Sequence, residues 1–172
     1  PLLKELMKEP GALRRATLDG ALALPPGAKL AVRAVAGINP ATLEGIVIDD
    51  EDAELHGKWE SIGSLTGFVG DGYRYSGDAK AIARFPFTIT NAGLYDVRIA
   101  WQPHANRAKA ASITVQSADG EKTVTIDQTQ LAQGAHGFQS LGHYTFATSG
   151  KASVLYRCVG AKGIVHIDAV QI

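Results

Sequence analysis

The 172-residue chain sets 17 Lys+Arg against 17 Asp+Glu, and a formal net charge of zero excludes the electrostatic footprint of a protein that grips nucleic acid or anionic lipid. Hydrophobic residues at 45% and charged residues at 20% exclude a disordered chain, and the length suits one domain with a sizeable core. No apolar run approaches the roughly 18 residues of a membrane span, and the lone Cys158 excludes an internal disulfide and a cysteine-built zinc site.

The chain begins at Pro1 with neither an initiator Met nor a signal core, and it is expected to be a piece of a longer protein. Leu2, Leu3, Leu6 and Met7 stand at helical spacing, which predicts a short helix over residues 2–9 that Pro10-Gly11 ends. Residues 12–45 are rich in Ala, Gly, Leu and Pro, and read as a connector with one strand over Lys29–Val35.

From Ile46 the hydrophobic period becomes two. Ala83, Phe85, Phe87 and Ile89 share one face, and Pro86 assigns that strand to an edge or a bulge. Tyr95, Val97, Ile99 and Trp101 alternate with Leu94, Asp96, Arg98 and Ala100, which makes Tyr95 and Trp101 core residues. Ile113 and Val115 alternate with Ser112, Thr114 and Gln116, and Val124 and Ile126 alternate with Thr123, Thr125 and Asp127. Asn91-Ala92-Gly93 and Ala118-Asp119-Gly120 are turns of the kind that join antiparallel strands. The last strands are expected over residues 152–159 and 163–172. Roughly eight to ten short strands without intervening helices imply an antiparallel β-sandwich.

No nucleophile elbow, His-Glu-x-x-His pair, P-loop or complete dinucleotide fingerprint is present, and Gly70-Asp71-Gly72 reads as a turn. His56, His104, His136, His143 and His166 are scattered, with no pair at ligand spacing. Two carboxylates such as Asp71 and Asp127 have the chemistry of a glycosidase pair, but nothing in the sequence places them together. The chain is therefore read as non-enzymatic.

Two features point to binding. The acidic run over residues 49–54 is either a solvated strand end or a hard-cation site. Asp168, inside an otherwise apolar strand, must be paired, hydrogen-bonded or metal-bound if buried. Asp168 with Asp49, Glu51 and Asp52 is the candidate Ca²⁺ site; the competing reading puts Asp168 on backbone N–H groups or Arg157, without metal. The second feature is aromatic: Trp59, Tyr73, Tyr75 and Trp101 stand near polar loops, and flat rings beside polar groups suit pyranose faces, although the spacing of Trp101 favours the core. Asp71, Asn106 and Arg107 complete this candidate set as partners for hydroxyls. Their competing reading has Asn106 and Arg107 fixing the loop over residues 102–109, Arg107 forking onto Asp71 or Asp127.

An ordered series of segments carries a family resemblance: GIVIDDEDAELHGKW at 45–59, FVGDGYRY at 68–75, ARF at 83–85, GLYDV at 93–97, WQPHANRA at 101–108, VQSADGEKTV at 115–124, LG at 141–142 and VHIDAV at 165–170. Over residues 38–172 the chain resembles the golvesin/xanthan-lyase carbohydrate-binding-like domain, which closes secreted bacterial proteins including xanthan lyases and FAD-dependent oxidoreductases. The resemblance implies a jelly-roll-like sandwich at residues 38–172, with residues 1–37 as an N-terminal helix and connector. It also implies secreted or periplasmic residence and an accessory role beside a polysaccharide or an upstream catalytic domain. No cofactor is expected beyond the structural calcium. The alternative is a structural or interaction module packing on a partner domain or protomer, without a sugar site. A sugar-binding module displays Trp59, Tyr73 or Tyr75 on a polar surface, whereas a packing module shows an apolar patch.

Overall fold

The computed structural model describes residues 36–150 and 152–172, so the expected helix over 2–9 and strand over Lys29–Val35 lie outside the described residues. The described residues form twelve short strands, two more than the upper end of the expectation. They are β1 (Val47–Asp49), β2 (Glu54–His56), β3 (Glu60–Ile62), β4 (Tyr73–Ser76), β5 (Ile82–Phe87), β6 (Gly93–Ala100), β7 (Ala111–Ser117), β8 (Gly120–Ile126), β9 (Phe138–Phe146), β10 (Ala152–Arg157), β11 (Val165–Ile167) and β12 (Ala169–Gln171). All named pairs are antiparallel, in sheets ordered β1-β12-β6-β9, β2-β5-β10-β7-β8 and β11-β4-β3.

The period-two pattern buries one face of each large sheet. Val97, Ile99 and Val170 from the four-stranded sheet meet Phe85, Ile113, Val115 and Val154 from the five-stranded one in a single core. Phe87 of β5 and Phe146 of β9 meet edge to face at 5.1 Å across it. Trp101 is buried and Tyr95 is half-buried against this core, as their spacing predicts.

Three local expectations change. Asn91-Ala92-Gly93 does not close a hairpin, because β5 and β6 lie in different sheets and the turn carries the chain across the sandwich. Pro86 sits in an interior strand, yet β2 pairs only with Ile82, Ala83 and Arg84, so one side of β5 is open where the proline needs it. Thr114 is buried rather than exposed, its hydroxyl 2.8 Å from that of Thr123 and accepting from Arg157 Nη1 at 2.9 Å. The Asp119-Gly120 hairpin forms as expected, with Ser117 opposite Gly120 and the glycine at φ +104°.

Tyr156 is wholly buried, packs on Phe85 at 5.6 Å, and its hydroxyl has no partner. An unpaired buried hydroxyl is destabilising, so Tyr156→Phe is expected to raise stability by up to about 1 kcal/mol. Urea unfolding checks this; a clear loss of stability shows that the hydroxyl is satisfied.

Candidate functional site

The alternation of β4 builds two sites from one strand: Tyr73 and Tyr75 point to one face and Arg74 to the other. On the tyrosine face, β11 places His166 directly opposite Tyr75. The two rings stack at 5.5 Å and 14°, and Tyr73 approaches the same imidazole at 5.2 Å. The loop after β6 reaches this wall because Arg107 bridges Ile164 just before β11. Tyr73, Tyr75, His104, Asn106, Arg107 and His166, with Ser64 and Leu65, line an open pocket of about 340 Å³.

Arg107 is buried. Its Nε donates to the Gln102 carbonyl at 3.0 Å and its Nη1 to Asn106 Oδ1 at 2.5 Å. It does not fork onto Asp71 or Asp127. Asp71 is exposed, and Asp127 Oδ1 already accepts from the backbone N–H and hydroxyl of Thr129 at 2.9 and 2.6 Å. Burial pulls the guanidinium below its ordinary pKa.

Of the six sequence candidates the pocket unites Tyr73, Tyr75, Asn106 and Arg107 and leaves out Trp59 and Asp71. Trp59 is half-buried against the core, its indole N–H donating to the carbonyls of His56 and Ile82 at 3.1 and 3.3 Å. Tyr73 is 1% exposed, with its hydroxyl 3.4 Å from both Ser64 Oγ and the Leu65 N–H, so it backs the pocket rather than displaying a platform. Tyr75 is half-buried and donates to Glu60 Oε2 at 2.7 Å. His104 and His166 join the pocket although the sequence reading leaves them scattered. Only strand pairing and loop closure bring them together.

His166 is 2% exposed with Nδ1 unpartnered, and burial, reinforced by Arg107 and His104, pulls its pKa down to about 3. A group whose folded pKa is depressed contributes stability above its unfolded pKa and loses it as pH falls. Wild type is therefore expected to lose stability relative to His166→Gln from about pH 6.5 downward, by up to about 1.4 kcal/mol per pH unit. Paired melts across that range check it; parallel curves mean that His166 protonates freely in the fold.

On the other face of β4 lies a carboxylate cluster. Asp49 ends β1 opposite Ala169 of β12, Asp168 lies between β11 and β12, and Asp50 opens the 3-10 turn Asp50–Asp52. One carboxylate oxygen from each lies within 4.8 Å of the others. Asp168 is fully buried and accepts from the Val69 N–H at 3.0 Å and Gln102 Nε2 at 2.6 Å. Arg157 instead donates to Thr114, so the expected Asp168–Arg157 pairing does not form. Asp50 takes the place expected for Glu51 and Asp52, which are exposed and outside the cluster. Gly70, at φ +68°, passes so close to Asp49 Oδ2 that a Cβ there would overlap it.

Arg74 Nε lies 2.8 Å from Asp50 Oδ2 and is the one cation that any ion pair of the described residues brings to the cluster. The Oδ1 atoms of Asp49 and Asp50 are buried without partners. Burial raises Asp49 to about 6 and, with the Asp49 charge beside it, Asp50 to about 7; burial also holds Asp168 well above its ordinary value. Three carboxylates facing one guanidinium leave two negative charges to neutralise, which two protons or one divalent cation accomplish. An all-oxygen donor set with two unsatisfied oxygens fits a hard cation such as Ca²⁺.

The xanthan lyase of Bacillus sp. (strain GL1) is 29% identical over 138 residues, which are 75% of this chain and 14% of that protein. The chain thus spans about one seventh of that relative's length. The Paenibacillus xanthan lyase structure superposes with a TM-score of 0.66 at 23% identity, over 72% of this chain and 12% of that one. The CBM35 module from Paenibacillus barcinonensis superposes at 0.51 and 12% identity, over 74% of this chain and 97% of that module. These likenesses show that the sandwich has the fold of carbohydrate-binding modules. Residues 46–172 match the model of the Golvesin C-terminal domain, and the chain belongs to that family.

Proposed function

We propose that residues 38–172 form a non-catalytic accessory module that holds a saccharide at the Tyr75–His166 pocket, with residues 1–37 leading into it from a larger exported bacterial protein. The half-buried Tyr75 ring, backed by the buried His166 and set beside the donors of Ser64, Asn106 and Arg107, carries this reading. A ring face and a row of polar groups are the two things that pyranose recognition needs. The xanthan lyases among its relatives support a polysaccharide as the partner. A secreted or periplasmic setting goes with that partner, and no helix among the described residues is long and apolar enough to cross a membrane.

The test is affinity electrophoresis of the chain through gels containing a polysaccharide panel that includes xanthan. Retardation by at least one glycan, lost in Tyr75→Ala with the fold intact, is the expected result. Unretarded migration in every gel overturns the reading. It then favours an interaction module, for which the hollow of about 480 Å³ lined by Trp101, Pro103, Ala132 and the 67%-exposed Leu131 is the supporting feature.

We also infer that Asp49, Asp50 and Asp168 hold a structural Ca²⁺ that pins the first strand to the last. The unpartnered Oδ1 of the buried Asp50 supports this. Glu51 and Asp52 have no part in it.

A further inference from the structure

We propose that the pocket selects a saccharide bearing a carboxylate, and that Asn106 occupies the carboxylate's place until the ligand binds. The inference rests on the saccharide-binding reading above and narrows it to acidic sugars.

The argument begins with charge. None of the residues lining the pocket is Asp or Glu, and Arg107 is its one permanently charged group. An arginine only 8% exposed is ordinarily paired with an anion, because a buried cation without one is costly. Among the described residues no carboxylate lies within ion-pair distance of Arg107. Its partners are two neutral oxygens, the Gln102 carbonyl and Asn106 Oδ1.

The second observation is convergence. Asn106 Oδ1 receives Arg107 Nη1 at 2.5 Å and lies 2.9 Å from His104 Nδ1. Because an amide oxygen can only accept, that contact requires the Nδ1–H tautomer of His104, in which the Asn106 N–H, 3.4 Å from the same nitrogen, no longer has it as an acceptor. Two donors on one exposed loop residue mark a position suited to an oxygen more negative than a carboxamide's. Of the five guanidinium N–H groups, Nε and one on Nη1 are engaged, so the Nη1–Nη2 edge keeps donors for a planar carboxylate. The Tyr75–His166 wall stands beside this edge in the same pocket, where the ring carrying that carboxylate would lie. A neutral sugar has hydroxyls for these donors but leaves the arginine's charge uncompensated; a uronate compensates it.

The experiment compares polygalacturonate and polyglucuronate with their carboxyl-reduced counterparts by calorimetric titration of the chain, with dextran sulfate and sodium acetate as controls. The proteins are wild type, Asn106→Asp and Arg107→Lys. Asn106→Asp is nearly isosteric and sets a permanent carboxylate on Arg107, so it fills the anion position from within while preserving the fold. Wild type is expected to bind a polyuronate at least about tenfold more tightly than its reduced form, the worth of one charge-assisted hydrogen bond. Asn106→Asp is expected to erase that preference with an unchanged or higher melting temperature. Arg107→Lys, which loses the planar fork, is expected to weaken it by a similar factor.

Equal binding of acidic and reduced polymers by wild type overturns the proposal while leaving the saccharide-binding reading in place. So does an acid preference that survives in Asn106→Asp. Binding of neither polymer, together with unretarded migration across the gel panel, overturns both. Binding of dextran sulfate, or competition by acetate, as strong as that of the polyuronate shows a general anion site and overturns the sugar-carboxylate assignment.

Discussion

Calcium is expected to raise the melting temperature of this domain, and by more at higher pH. A ligand at a hundredfold excess over its Kd adds about 2.7 kcal/mol to the stability of the state that binds it. For a domain of this size that is a rise of about 8 °C. The pH dependence follows from the cluster itself. Without metal, Asp49 at about 6, Asp50 at about 7 and Asp168 well above its ordinary value all have folded pKa values raised by burial. Such groups contribute stability while protonated, and lose it as pH rises through the folded pKa. In EDTA the midpoint is therefore expected to fall as pH climbs from about 5 to about 8. In millimolar Ca²⁺ the ion takes over from the protons, and the gap between the two curves opens across that window. The His166 contribution runs the other way but is common to both curves and cancels in their difference. Asp168→Asn is expected to abolish the response. A flat midpoint up to millimolar Ca²⁺ at pH 8 removes calcium and leaves a proton-sharing carboxylate network.

Gln128→Leu is expected to be the more damaging change. Gln128 is fully buried, and its side chain takes the place of a neighbouring strand along β11. Its Nε2 donates to the His166 carbonyl at 2.6 Å, its Oε1 accepts the His166 N–H at 2.9 Å, and its own N–H is held by the Ala108 carbonyl at 2.8 Å. Leucine matches the size but leaves both backbone groups of His166 buried and unpaired. At about 1–3 kcal/mol for each group, the expected loss is about 2–6 kcal/mol. Gln128→Glu is also expected to destabilise, because a carboxylate accepts from the N–H but cannot donate to the carbonyl. Urea unfolding measures both. A loss below about 1 kcal/mol for the leucine variant shows that water replaces the amide and that β11 does not depend on it.

Strands that alternate regularly, as β6 does, or are largely apolar, as β10 is, were legible, and the irregular β9 was not. In β6 Val97 and Ile99 stand at every second position and Trp101, just past the strand, continues the row, so they declare the face packed in the main core. In β9 the buried residues are Phe138, Leu141, Tyr144 and Phe146, spaced three, three and two apart. The pairing with β6 shifts register between Val97 and Arg98, the extra residue on β9 is Leu141, and Gly142 beside it takes φ +112°. A bulge resets which residues face inward, and no single-strand pattern shows where it falls.

The sites divide in the same way. Asp168 stood out in the sequence because a carboxylate inside an apolar strand needs a partner, and residues close to it in type and position were named. Choosing Asp50 over Glu51 and Asp52 required the turn Asp50–Asp52, which buries one of three adjacent acids and exposes the other two. Tyr73, Tyr75, Asn106 and Arg107 were named from chemistry alone, yet the partners of Arg107 were not, because loop closure hands it Gln102 and Asn106 instead of Asp71 or Asp127.

By itself the sequence determined that this is an antiparallel sandwich of the Golvesin C-terminal type, because hydrophobic period, turn chemistry and motif order are properties of neighbouring residues. Only the tertiary structure decided that β4 serves a pocket with one face and a carboxylate cluster with the other. Strand pairing joins residues far apart in the chain, and burial, which depends on everything packed around a group, sets which acids and which arginine lack a counter-charge.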